Sequence, residues 1–263
     1  MNRVAKYCLF TLVALLAFSE NSMAQSISKA VKGNLEMIYI GKRYNYLVPH
    51  VVNTHSNAMN FHNSLWSYDY DKTYVMLTDF EDSGHGGAIV MPFNLVVLGI
   101  EPYSFAFNII PSNERFQWLF NHELTHIVMA DKANSRDLFF RDKFGGKVLR
   151  SEEQPISAFW SYLTTPRWYS PRWFHEGIAT FMETWMSGGL GRAMGPYDEM
   201  YFRAIVEKGE PLYSLIGLET EGTTIDFQVG ANSYLYGTRF VTYLAYKYGV
   251  ESLKELLNSP LHI

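Results

Sequence analysis

The sequence predicts an α+β fold, a small, mostly antiparallel sheet followed by a helical bundle. Two observations carry that expectation. The β-prone runs fall early, near residues 73–77 and 89–100, whereas helical periodicities dominate the second half. Hydrophobic residues make up 48% of the 263 and charged residues 18%, the balance of a chain that buries a real core. No internal repeat or low-complexity stretch interrupts it. The formal charge of −4 argues against a nucleic-acid binder, which needs a clustered basic surface. The single cysteine, Cys8, excludes a disulfide framework and a cysteine-built zinc site.

The first 24 residues read as a signal peptide. Arg3 and Lys6 precede the apolar run Tyr7 to Phe18, and Ser22-Met23-Ala24 offers small residues before a cut at Gln25. Twelve apolar residues are too few to span a bilayer, which takes about 20; an uncleaved anchor is the alternative. Cleavage leaves 239 residues, no cysteine and no later stretch apolar enough to cross a membrane. The product is expected to be exported, to the periplasm or beyond the cell, with residues 25–263 forming one domain.

The elements follow in order. Residues 43–66 carry apolar positions at helical spacing (Leu47, Val48, Val51, Val52, Met59, Leu65), with Pro49 in the first turns. Residues 73–77 read as a strand and 79–87 as a glycine-rich polar loop holding His85, a loop histidine or at most a substrate contact. Residues 89–100 read as a second strand, demoted by Pro92 to an edge or bulged position. Asn113 and Glu114 open a helix to about Ala130. Residues 151–170 read as irregular and aromatic. Pro171 suits the start of a helix reaching about Met186, and residues 198–208, 233–248 and 251–258 supply further helices.

The chemistry begins at His122-Glu123-Leu124-Thr125-His126. On a helix, positions i and i+4 share a face, so His122 and His126 can present two imidazoles to one ion. Glu123 is one step round and can act as general base toward a water there. This composition in random order yields the pattern in about one or two chains per hundred, so context has to decide. No Pro or Gly breaks residues 114–131, and such polar groups on a buried helix without a metal would be costly. No further ligand follows at short spacing. Instead Trp173-Phe174-His175-Glu176-Gly177-Ile178-Ala179 opens the next strong helix, and Glu176 would complete a His₂Glu zinc site, with His175 its rival. Glu183, two turns beyond Glu176, either orients a ligating histidine or is a solvated surface residue.

A helical HExxH, then Pro171-Arg172-Trp173-x-x-Glu176-Gly177-x-Ala179, then a tyrosine-bearing helix, resembles the peptidase MA-like gluzincins, related to the thermolysin and alanyl aminopeptidase branches. The resemblance spans about residues 70–250. It implies a zincin-like fold, with zinc held by His122, His126 and Glu176. Tyr234-Leu235-Tyr236-Gly237-Thr238-Arg239-Phe240 is similar to the family's later motif. That implies Tyr234 as the phenol donating to the oxyanion, a role suited to a neutral O–H aimed at developing charge; Tyr236 is close enough to compete. The segment from Gly86 to Ile100 resembles the family's substrate-aligning edge strand, where a peptide can add by main-chain hydrogen bonds. It lacks the Glu with which the aminopeptidases bind a free amine, which counts against an exopeptidase.

The expected activity is hydrolysis of peptide bonds in a peptide or protein substrate, with Glu123 as base. A catalytically idle gluzincin-like binding or assembly module is the alternative. The aromatic residues between Phe159 and Phe174 are expected to pack against the catalytic helices, with a substrate groove or a membrane surface as the other readings. Related chains often continue into a propeller, so residues 25–263 can be the N-terminal part of a longer protein.

Overall fold

A computed structural model describes residues 27–79, 85–100, 114–193, 195–219 and 232–258. The proposed signal segment therefore lies outside the described residues. Five strands form one sheet: β1 (Ile27–Lys32), β2 (Leu35–Ile40), β3 (Thr73–Thr78), β4 (Gly86–Ile89) and β5 (Asn94–Gly99), in the order β1-β2-β3-β5-β4. The helices are α1 (Val48–Trp66), α2 (Arg115–Asp131), α3 (Ser135–Phe144), α4 (Ser157–Thr164), α5 (Arg172–Met186), α6 (Pro196–Lys208), α7 (Leu215–Glu219), α8 (Asn232–Tyr248) and α9 (Glu251–Asn258). A small sheet followed by helices agrees with the α+β expectation.

The sheet is mixed, however, and not mostly antiparallel. β1 pairs antiparallel with β2 and β4 with β5, but the two central pairings, β2 with β3 and β3 with β5, are parallel. The cause is α1. This helix carries the chain from the end of β2 back to the start of β3, and a crossover of that kind returns a strand in the same direction. Pro92 also acts differently from the expectation. It sits in the four-residue turn between β4 and β5, so the run 89–100 is a hairpin corner plus an interior strand. β4 is one edge strand, β1 the other.

One face of the sheet is buried and the other half-exposed. Met37, Val75 and Val96 are opposed in register and wholly buried, as are Leu77 and Leu98, while Met76 and Ile89 turn outward. Alternation of this kind marks a sheet covered on one side. The buried face meets α2, whose Phe120, Leu124, Ile127 and Val128 belong to the same core. α1 packs beside α2, and α5 lies across α2 with α8 against it.

The last residue of α2 is fixed by charge. Asp131 accepts hydrogen bonds from Tyr68 Oη (2.6 Å), Asn94 Nδ2 (3.0 Å), Lys147 Nζ (2.8 Å) and Arg141 Nη1 (3.1 Å). A buried carboxylate is tolerated when so satisfied. It ties α2 to β5, to α3 and to the segment beyond α3. The start of α2 is capped by Glu114, whose carboxylate accepts from the Phe116 and Gln117 amides.

The stretch 151–170 is more ordered than its sequence suggests: it forms α4 and a 3₁₀ turn at Pro166–Tyr169. Its aromatic residues divide. Phe174 is buried, but Phe159 is 53% exposed, and Tyr162, Trp168 and Tyr169 are also exposed. Packing against the neighbouring helices is thus right for only part of the set. Among the described residues no helix is long and apolar enough to cross a membrane.

Candidate metal centre

His122 and His126 lie on the same face of α2, as their spacing requires, and Glu176 reaches them from the first turns of α5. The Nε2 atoms of the two histidines are 3.0 Å apart, and Glu176 Oε2 is 3.3 Å from His122 Nε2 and 3.4 Å from His126 Nε2. A tetrahedral ion with bonds of about 2.0–2.1 Å holds its ligand atoms about 3.3 Å apart. The three donor atoms already stand at that spacing. Among the described residues, these are the three that could share one ion. Glu176 Oε2 is buried without a hydrogen bond of good geometry, the state of an oxygen that a cation would satisfy. Two imidazoles and a carboxylate form a donor set that suits zinc.

The electrostatics agree. Burial opposes a charge on Glu176, but its contacts to His122 and His126 outweigh that and hold the carboxyl well below the usual carboxylate range. Burial likewise pushes His122 down, yet Glu183 and Glu176 outweigh it and raise the ring to about 9. A proton held between imidazole and carboxylates occupies the place a metal would take, since ligands must deprotonate to bind.

Glu183 is fully buried, and its Oε2 lies 2.6 Å from His122 Nδ1. That is an orienting contact, not a solvated surface position. His175, the rival ligand, is not in the cluster. Its ring centre is 6.3 Å from that of His126, and burial depresses its pKa to about 4.

The donors open onto a cleft of about 490 Å³. Its walls are Gly86, Gly87 and Ala88 of β4, His122, Glu123 and His126 of α2, Trp168 and Ser170, the start of α5, Glu219 of α7 and Tyr234 of α8. His85, just before β4, is not part of that wall. Glu123 is buried, and burial raises its carboxyl above the usual range, toward the region where a general base is effective. Gly86 lies against it: a Cβ there would lie 2.9 Å from both Glu123 Oε1 and Leu119 Cδ1 and would push those side chains aside. Glu219 accepts from the Arg172 amide at 3.1 Å at the head of α5.

Tyr234 lines the cleft, its ring stacked toward His122 with centroids 6.1 Å apart. Burial and the Glu176 charge push its phenol up to about 12, so it stays a neutral O–H donor at ordinary pH. Tyr236 faces elsewhere, packing on Phe202 and accepting from the Tyr213 amide. The relation between Tyr234 and Glu176 is set by a close helix crossing. A Cβ on Gly177 would lie 2.4 Å from the Gly237 carbonyl carbon, and one on Gly237 would lie 2.0 Å from the Trp173 carbonyl oxygen. Only glycine allows α5 and α8 to meet this closely. Arg192, which no motif indicates, closes the back of the site against Glu183.

No protein-family model matches the chain, and no curated protein matches it in sequence. Among solved structures, an aminopeptidase N family protein from Idiomarina loihiensis is similar at 14% identity and a TM-score of 0.47. The alignment covers 89% of this chain and 40% of that one, so the chain spans about two-fifths of its neighbour.

Proposed function

We propose that this protein is a zinc-dependent peptidase of gluzincin type, exported by its first 24 residues and formed as one zincin-like domain over residues 25–263. The observation that carries the reading is the convergence of His122 Nε2, His126 Nε2 and Glu176 Oε2 at tetrahedral ligand spacing on the floor of an open cleft. A buried carboxylate and a neutral phenol line the same cleft. His122, His126 and Glu176 would hold the ion. Bound zinc supplies Lewis acidity toward the scissile carbonyl and makes water a nucleophile near neutral pH.

The remaining steps belong to the chain's own residues. β4 offers an extended peptide its edge, and the open space beside Gly87 leaves room for a backbone to lie close. Glu123 takes the proton of the attacking water and delivers it to the departing amine. Tyr234 donates its O–H to the oxygen that gains charge as the carbonyl carbon becomes tetrahedral.

The test uses purified protein, zinc analysis and a mixed library of internally quenched peptides. Wild type is expected to hold one zinc and to cleave. Glu123→Gln should keep the zinc and lose turnover, whereas His126→Ala should lose the metal. Undiminished hydrolysis by Glu123→Gln protein refutes the assignment, and zinc binding without cleavage by wild type points to a binding module.

A further inference from the structure

Arg192 stands on the turn after α5, 70 residues from the histidine it serves. The turn is folded back on its own helix. A Cβ on Gly191 would lie 2.3 Å from Thr184 Oγ1 and 2.9 Å from Thr184 Cα, so glycine is required there. The Ala193 amide donates to the same hydroxyl at 3.0 Å. Between these two contacts Arg192 is directed inward, and its side chain is only 16% exposed.

Its guanidinium meets Glu183 through two parallel bonds, Nε to Oε1 at 2.8 Å and Nη2 to Oε2 at 2.7 Å. This fork geometry fixes a carboxylate in plane as well as in place. Two aromatic rings pack on the same group: its central carbon is 4.9 Å from the ring centre of Trp118 and 4.7 Å from that of Tyr234. Nη2 also lies 3.1 Å from His122 Nδ1. Glu183, ionised by its pairing with Arg192, can only accept a hydrogen bond. At 2.6 Å His122 Nδ1 therefore donates its N–H to Glu183, the guanidinium beside it being a neighbour and not a partner, and the lone pair of Nε2 is left on the side of His126 and Glu176.

We infer that Arg192 is a positioning residue that sets two groups at once, His122 through Glu183 and Tyr234 by contact with its ring. The inference rests on the zinc-peptidase reading of the site. The chemistry gives Arg192 two tasks. It compensates the Glu183 charge, so that this carboxylate serves as an acceptor for His122 and does not compete for the ion. It also packs on the Tyr234 ring. Lysine would keep the charge but lose both the fork and the flat surface.

The test is a double-mutant cycle on zinc affinity, measured by chelator competition at fixed pH with full-length chains. Arg192→Gln and Glu183→Gln should each weaken zinc binding by about 10- to 100-fold. The double variant should be no more than about three-fold weaker than Glu183→Gln alone, because Arg192 acts on the metal through Glu183. At saturating zinc, Arg192→Gln should lower kcat with KM unchanged, and this loss should vanish in a Tyr234→Phe background. Arg192→Lys should fall between wild type and Arg192→Gln, and it carries the cycle if the glutamine variant does not fold. A residue that merely stabilises the fold would lower Tm and leave zinc affinity alone. Wild-type zinc affinity in both Arg192 variants, or fully multiplicative losses in the double variant, overturns the inference by itself. A wild-type protein that binds no zinc overturns the reading of the site and the inference with it.

Discussion

Replacing Gly237 by alanine is the sharpest test of how the site is held together. The new Cβ would lie 2.0 Å from the Trp173 carbonyl oxygen, 2.9 Å from Gly177 Cα and 3.0 Å from Gly177 N. All three are backbone atoms, so no side chain can rotate aside. A carbon–oxygen contact needs about 3.3 Å, and α5 and α8 must therefore separate by about 1.3 Å at the crossing. Overpacking of this kind costs about 1–3 kcal/mol. For a domain of this size that lowers Tm by roughly 2–12 °C. The functional cost is larger. Glu176 adjoins Gly177, and Tyr234 precedes Gly237 by one turn, so the separation falls directly on the distance between ligand and phenol. A misplacement of about 1 Å can cost 10²-fold in rate. The assays are thermal melting, zinc content and kcat on one peptide. An alanine variant that melts and turns over like wild type would show that the close crossing has no part in setting the site.

Stripping the metal should destabilise the fold. At a free zinc concentration about 100-fold above Kd, binding contributes about 2.7 kcal/mol; chelation should then lower Tm by roughly 5–11 °C, while His126→Ala protein should melt alike with and without chelator. Acid should destabilise the protein through its buried histidines. Burial lowers His55 and His175 to a pKa of about 4 and His62 to about 3, whereas all three titrate near 6.5 when unfolded. Between those values the unfolded chain binds more protons, so stability is full above pH 6.5 and falls as pH drops below it, by about 2 kcal/mol per histidine at pH 5. Denaturant melts at pH 7 and pH 5 measure the difference, and His62→Gln, which keeps an acceptor for Trp66 Nε1, should remove about a third of it. An unchanged difference would show that His62 is not the group responsible.

The helices α1, α2, α5 and α8 are legible in the sequence because each pairs a long apolar face with a recognisable start, such as Glu114 for α2 and Pro171 for α5. The three donor atoms are legible for a related reason. Two are fixed by helical spacing, and the third sits at a helix start beside a glycine. What escapes is whatever depends on partners far along the chain. The direction of β3 and β5 is set by how α1 crosses over, which no local pattern records. Pro92 weakens a strand reading equally well from inside a strand or from the turn before it, and here it is in the turn. β1 and β2 escape although each is six residues long, as β3 and β5 are: β1 is polar and largely exposed, and its order comes from pairing with β2. Arg192 is invisible for the same reason: its partners Glu183, Trp118 and Tyr234 come from three helices. Only the small residues on either side of it, Gly191 and Ala193, hint that the turn lies close against something.

The order of the donors along the chain has a consequence for synthesis. His122 and His126 emerge together on α2, Glu176 follows 50 residues later, and Tyr234 another 58 after that. Neither Glu176 nor Tyr234 is in place until α5 and α8 have docked through Gly177 and Gly237. A growing chain thus holds two imidazoles that can bind metal weakly, but lacks the carboxylate and the phenol on which the proposed hydrolysis depends. On that reading the peptidase would be inert for most of its own production. The helix crossing that assembles the site would then also switch on the proposed activity, sparing the neighbours of a nascent chain from premature cleavage.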